Sequence, residues 1–344
     1  MKFGLFGGAA RGADQSGDSQ SYRSFVDYVV GAEELGFDSL FLVEHHFTGA
    51  GQLSASMTLL SYLAGLTTSM RLGTGVTVLP WHNPVLMAEQ AATVDVVSDG
   101  RLDFGIGRGY RPNEFHGFMV DPATAPARFN EAIELILKSW TTRERWSHDG
   151  EYWHYRDILV EPQPVQQPHP PIWVAAQSEA SVRQAAARGQ SLMLDQFSDT
   201  RTIGERIAWY RDEQTRRGVA SRPHQIAVTR GLLLVDDEAK RTGEIERRLK
   251  AIAMLAATAR VPGEESEAPV VGSQMLDSSR DATEASTVIG TPGACVARLK
   301  ELEAVGVDYV LFNDPWGGIE RLRFFAKEVM GAFAAQPAED RAIA

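Results

Sequence analysis

Cysteine is almost missing from this chain: there is one, Cys295, in 344 residues. A single thiol excludes an intrachain disulfide and fits a reducing compartment. With no cysteine cluster and no H-E-x-x-H pattern, the usual zinc sites are excluded as well. Basic charge is scarce, 34 Lys and Arg against 45 Asp and Glu, for a net charge of -11. Binding a phosphodiester backbone needs a basic patch, so no nucleic-acid partner is expected. Long apolar runs are missing too. None approaches the roughly 18–20 residues that span a bilayer, so no membrane partner is expected. Arg11 and Asp14 arrive too soon after the first apolar residues for a signal-peptide core. A soluble, cytoplasmic protein is the expectation. Nor is there a dinucleotide fingerprint: the glycine-rich stretch 105–109 reads G-x-G-x-G, and no acidic residue closes a following strand at the required distance.

What is present is a regular alternation. Hydrophobic residues make up 44% of the chain, ample for one large core. Short apolar runs at 2–6, 39–43, 71–79, 102–106, 172–176, 192–194, 226–235 and 308–312 read as strands. Helical periods lie between and after them at 21–35, 56–67, 85–97, 128–142, 179–188, 201–217, 238–259 and 319–333. Eight strands alternating with helices predict an α/β fold, a (β/α)8 TIM barrel with loop insertions, in one domain over residues 1–336. His148-Asp149-Gly150-Glu151 reads as a hairpin turn between two short aromatic strands, an insertion near 146–170. A second insertion lies near 261–289, where Glu, Ser, Asp and Gly replace any clear period over 261–286. That stretch reads as a lid. Residues 337–344 read as a disordered tail. Cys295 follows Thr291-Pro292-Gly293-Ala294, a helix start, and reads as a small buried apolar residue.

Chemistry concentrates at the strand ends. The run 39–43 closes in Glu44-His45-His46-Phe47. In a barrel of parallel strands, the C-terminal ends of the strands are where reactions occur. Adjacent side chains on an extended backbone diverge, so His45 and His46 do not share a metal. Two readings of them stay open: one imidazole faces the mouth as a general acid/base, or both are polar residues satisfied by carboxylates and backbone. His82, His116, His148, His154, His169 and His224 read as structural. The loop Gly105-Ile106-Gly107-Arg108-Gly109 lets backbone approach a ligand, and Arg108 offers a planar fork to a phosphate. The strand-to-helix turn 174–181 carries Ser178 and Ser181, which either cap a helix or hold an anion there. Phe6, Phe47, Trp81, Tyr110, Phe115, Phe118, Phe197 and Trp316 crowd the same ends, as wall packing or as the lining of an apolar pocket.

Taken together, the E-H-H-F strand end, Leu79-Pro80 with Asn83-Pro84-Val85, the segment from Gly100 to Gly109, the turn 174–181 and Gly290-Thr291-Pro292-Gly293 resemble the bacterial luciferase-like flavin monooxygenase family. The resemblance runs through nearly the whole chain. It implies FMN at the C-terminal mouth, with reduced FMN (FMNH2) as co-substrate. By the same resemblance Arg108, Ser178 and Ser181 hold the flavin phosphate. Glu44, Gly75 and Val76 lie beside the flavin, the Gly75-Val76 peptide is cis, and Tyr110, Ala176 and Gln177 complete the cofactor site. His45 matches a histidine required for catalysis. The implied activity is that of a two-component monooxygenase that uses O2 through a C4a-peroxyflavin on a small organic substrate, an aldehyde, a ketone or similar. A separate NAD(P)H-dependent flavin reductase would supply the reduced flavin, and a homodimer is expected. Three departures from the family's luciferases stand out. Gly107 replaces a cysteine, Gln177 a glutamate, and Asp195-Gln196 a serine and a tryptophan. Two alternatives accompany this reading: an oxidoreductase that uses the deazaflavin F420, or a non-catalytic flavin-binding subunit.

Overall fold

A computed structural model describes residues 1–10, 17–261, 263, 270–271, 274–275, 279–313 and 318–334. Residues 262, 264–269, 272–273 and 276–278 of the expected lid, Trp316 and the expected tail lie outside the described residues. Eight parallel strands form a closed barrel: β1 (Lys2–Gly7), β2 (Ser39–Leu42), β3 (Arg71–Thr74), β4 (Leu102–Gly107), β5 (Ile172–Ala175), β6 (Ser191–Leu194), β7 (Ile226–Leu234) and β8 (Tyr309–Phe312). Each pairs with the next in chain order, and β8 pairs back onto β1. The principal helices outside it are α1 (Asp18–Glu34), α2 (Ser56–Ala64), α3 (Pro84–Val97), α4 (Ala125–Thr141), α5 (Glu179–Ala187), α6 (Thr200–Arg217), α7 (Arg241–Ala257) and α8 (Gly318–Glu328). Strand and helix thus alternate as the periodicity predicted.

The period of two sorts the core into two layers. On β2, Phe41 points into the barrel and packs with Trp173, Met193, Ala227, Tyr309 and Leu311. Its neighbours Leu40 and Leu42 face the helices. On β8 the same parity sends Tyr309 and Leu311 inward and Val310 and Phe312 outward. The Tyr309 hydroxyl bonds Ser39 Oγ across the interior. At the opposite end from the strand-end loops, Arg71 binds Asp103 through two nitrogens at 2.7 and 2.9 Å. That bidentate pair ties the starts of β3 and β4. On the outside, Trp140 of α4 is fully buried and donates its indole N–H to the Ala88 carbonyl of α3 at 2.9 Å.

Several elements differ from the sequence reading. The single strand expected at 71–79 is two pieces, Arg71–Thr74 and Thr77–Val78, separated at the cis Gly75-Val76 peptide. The helix expected at 238–259 is a short turn, Glu238–Lys240, followed by α7. The closing helix ends at Glu328, and a 3-10 turn, Met330–Phe333, finishes the segment expected to be helical. An unexpected four-residue strand, Thr287–Gly290, pairs in parallel with the upper half of β7, from Gly231 to Leu234. Pro292–Ala304, of which only the start was legible, is the helix leading back to β8. Cys295 on that helix is fully buried, and burial, followed by the charge on Glu238, pushes its thiol up to about 12. No helix among the described residues is long and apolar enough to cross a membrane.

Candidate functional site

A cavity of about 690 Å3 opens at the C-terminal ends of the strands, within the usual range for small-molecule sites. All ten residues singled out from the sequence line it: Glu44, His45, Gly75, Val76, Arg108, Tyr110, Ala176, Gln177, Ser178 and Ser181. Barrel closure brings them together, since they come from the ends of β2, β3, β4 and β5. Phe6, Tyr110, Phe115 and Phe197 supply aromatic wall, while Val43, Val76, Val78 and Met193 supply aliphatic wall. Phe47, Trp81 and Phe118 do not line it. They pack around the His46 ring instead, with Phe118 at 4.8 Å and Trp81 stacked on Phe118 at 5.2 Å.

Glu44 is the hub of one wall. Its side chain is buried, and Oε1 takes His46 Nε2 at 3.0 Å, His82 Nε2 at 2.8 Å and the Trp81 indole N–H at 3.0 Å. The Val78 N–H reaches Oε2 at 3.4 Å. Burial opposes ionisation, but the hydrogen bonds from His46 and His82, the charge on His82 and the Trp81 N–H outweigh it. The carboxyl is held down at about 2. His82 read as structural in the sequence, yet it is one of the two imidazoles that fix Glu44.

His45 diverges from His46, as extended geometry requires. Its Nδ1 lies 3.2 Å from Glu114 Oε1, and the same oxygen accepts the His46 backbone N–H at 3.0 Å. An oxygen already accepting from a backbone amide is an acceptor toward the imidazole, so Nδ1 carries the proton. The neutral ring then has its lone pair on Nε2. Burial lowers the His45 pKa, the Glu114 hydrogen bond pulls it back up, and the nearby Arg111 cation lowers it again. The balance is below the ordinary value and favours the neutral ring. Glu114 was not singled out from the sequence. It sits on the short helix Pro112–Phe118 just after the glycine loop, and the proline at that helix start was the available signal.

Arg108 is exposed at the cavity edge and makes no hydrogen bond or ion pair among the described residues. Ser178 caps α5: its hydroxyl accepts the Ser181 N–H at 3.3 Å and lies 2.9 Å from Ser181 Oγ. A side cavity of about 370 Å3 shares Arg108, Ser178 and Ser181 with the main one. A cation, two hydroxyls and a helix N-terminus therefore converge at one corner. Gly107 makes room for the wall: a Cβ there would stand 2.5 Å from Val76 Cγ2, so a cysteine at this position would displace Val76. Among the described residues no group of three or more His, Cys, Asp or Glu is placed to hold a metal ion.

Comparison with known proteins agrees with the barrel fold. Residues 1–309 match the family model described as luciferase-like monooxygenase. The oxygenase component of the flavin-dependent trigonelline monooxygenase of Acinetobacter baylyi is 35% identical over 191 residues, 55% of this chain and 52% of that protein. The matched stretch spans about half the length of the curated relatives. Monooxygenase RslO1 from Streptomyces bottropensis superposes with a TM-score of 0.84 at 26% identity, covering 97% of this chain and all of that one. The oxygenating constituent of 3,6-diketocamphane monooxygenase from Pseudomonas putida, solved with FMN, gives a TM-score of 0.77 at 20% identity over 98% and 99% of the two chains, which establishes the shared fold.

Proposed function

The chain belongs to the luciferase-like monooxygenase family, and from that premise we propose that it is the oxygenase component of a two-component system that takes reduced FMN from a separate NAD(P)H-dependent reductase. The observation that carries this reading is the convergence of the Arg108–Ser178–Ser181 corner and the His45–Glu44 wall on one cavity. The residues fit the cofactor. Arg108, having no partner among the described residues, supplies a cation for a phosphate. The apolar wall of Val43, Val76 and Met193 suits a flat ring. Bound reduced FMN supplies the electrons that activate O2. The chain's part is to anchor the phosphate, exclude water with the apolar wall, and present the His45 Nε2 lone pair to take a proton from the substrate side.

The test is anaerobic binding of photoreduced FMN followed by mixing with air. Reoxidation of bound flavin is expected to be far slower than that of free flavin. Absent binding, or reoxidation at the free rate, removes the reading. The phosphate corner has its own check. Arg108→Met should weaken FMN binding about 10–100-fold, the worth of a hydrogen-bonded charge. Riboflavin, which lacks the phosphate, should bind the two proteins alike. Equal loss for both ligands would mean that Arg108 serves the wall and not the phosphate.

A homodimer forms part of the proposal. Tyr62, Leu66, Leu86 and Val97 on and beside α2 and α3 are exposed large hydrophobic residues, the kind of patch that marks a protein interface. Sedimentation should give a dimer for the wild-type chain and a monomer for Leu86→Glu. An unchanged dimer in the variant places the interface elsewhere.

A further inference from the structure

The side cavity of about 370 Å3 starts at the phosphate corner, where it shares Arg108, Ser178 and Ser181 with the main one. Beyond the corner it lies between two helix faces. On α5, Ser181, Gln184, Ala185 and Arg188 fall at i, i+3, i+4 and i+7. On α4, Pro126, Phe129 and Asn130 fall at i, i+3 and i+4. At roughly 1.5 Å of rise per residue, Arg188 stands about 15 Å along α5 from Ser178. A phosphate group fills only the inner end of such a space, and the space is itself of small-molecule size. It therefore suits something attached to the phosphate.

Its lining has a definite chemistry. Among the described residues no Asp or Glu lines it, in a chain of net charge -11. Arg108 at the inner end and Arg188 at the outer end are exposed, and neither guanidinium makes a hydrogen bond or ion pair among the described residues. The side-chain amides of Asn130, Gln184 and Gln190 make no hydrogen bond among the described residues either. Gln190 weighs most. It lines the cavity while only 8% exposed. Its backbone is already engaged, the N–H with the Ala185 carbonyl and the C=O with the Tyr210 hydroxyl. An amide this buried is costly to leave unpaired. Phe129, Val174 and Ala185 add apolar surface. An amide sets a donor beside an acceptor, as the edge of adenine does. A guanidinium at the rim suits the face of a flat base.

We infer that the flavin site also takes the dinucleotide FAD, more tightly than FMN, with the diphosphate at the Arg108–Ser178–Ser181 corner and the adenosine in the side cavity between α4 and α5. Gln184 and Gln190 meet the edge of the adenine, and Arg188 covers its face. This rests on the reading above, in which a flavin phosphate occupies the Arg108 corner, and adds that the phosphate can carry a further group. No G-x-G-x-x-G turn is required, because the corner already supplies a cation, two hydroxyls and a helix N-terminus. Gln184, Arg188 and Gln190 bind cofactor and take no part in the proton transfer assigned to His45.

Anaerobic calorimetry on the full chain with photoreduced FMN and photoreduced FAD tests it. FAD is expected to bind about 10-fold or more tighter than FMN, the worth of one or two net hydrogen bonds. Gln190→Leu should reduce that preference and leave FMN affinity unchanged. Gln184→Trp, at an exposed position, fills the side cavity and should erase the preference, again without loss of FMN. Should Gln190→Leu fail to fold, Gln184→Trp decides alone. ADP should compete with both flavins, since all three need the corner. FAD no tighter than FMN, or a preference that survives Gln184→Trp, overturns the inference. Equal loss of both flavins in Gln184→Trp also overturns it, because the side cavity would then serve the FMN phosphate. ADP that binds beside FMN overturns it as well, by making the cavity a separate nucleotide site. Failure of FMN itself to bind is a distinct outcome that strikes the flavin reading and the inference built on it.

Discussion

Glu44→Ala is expected to lower stability by about 3–5 kcal/mol, the usual cost of removing one partner from a buried charge cluster. The cost does not come from lost packing, because the side chain is small and its neighbours are polar. It comes from what remains: His46 Nε2, His82 Nε2 and the Trp81 indole N–H would all lose the oxygen they share, in a pocket where water replaces them poorly. Glu44→Gln keeps one acceptor and the shape, so it should cost less. Chemical denaturation at pH 7 ranks the three proteins, and equal midpoints for Ala and wild type would mean that the cluster is solvated. Acid adds a second signature. The folded carboxyl is held at about 2 against 4.5 when free, so between these values the folded state binds fewer protons than the unfolded one. The contribution is complete above pH 4.5, about 3 kcal/mol by linkage, and disappears as pH falls toward 2. Glu44→Gln should flatten that part of the stability profile.

Legibility in the sequence followed the range of the interaction. The apolar run 39–43 is local and marked β2 as a strand, while its alternation, with Ser39 and Phe41 inward and Leu40 and Leu42 outward, came from the structure. The glycine loop and the Ser178 cap are local too, and both stand where the pattern placed them. The Glu44 hub was half legible. His46 is two residues away, but Trp81 and His82 are 37 and 38 residues distant, and only the closure of β2 against β3 brings them to the carboxylate. Glu114 lies 69 residues from His45 and reaches it by the same route. The hydrogen bond from Arg248 on α7 to Gln196 after β6, at 2.6 Å, was harder still. The run 192–194 announces a strand, but nothing near it shows that α7 turns an arginine toward the strand end. Broken elements were misread for a related reason: the β-prone residues of 71–79 outweigh Gly73 and Gly75, and the interruption at Gly75-Val76 leaves no trace in hydropathy.

His45→Ala is expected to reduce turnover by about 10²–10⁴-fold, the usual worth of a positioned acid or base, while FMN affinity stays close to wild type. That contrast alone does not identify the proton-carrying group, so the pH profile matters more. Burial and Arg111 depress the His45 pKa, and Glu114 opposes them. A base that works through Nε2 is active when neutral, so kcat/KM should fall only on the acid side, below the ordinary histidine value near 6.5. Two substitutions then move that limb in opposite directions. Glu114→Gln removes the opposing charge, lowers the pKa further and should carry the limb to lower pH. Arg111→Met removes the repelling cation and should carry it to higher pH. Glutamine retains a carbonyl to accept from Nδ1, so the tautomer that leaves the lone pair on Nε2 is preserved. A structural histidine would change stability in these variants without moving the limb. A limb that stays in place in both, or moves the same way in both, would assign the proton to another group and leave His45 as part of the cavity wall.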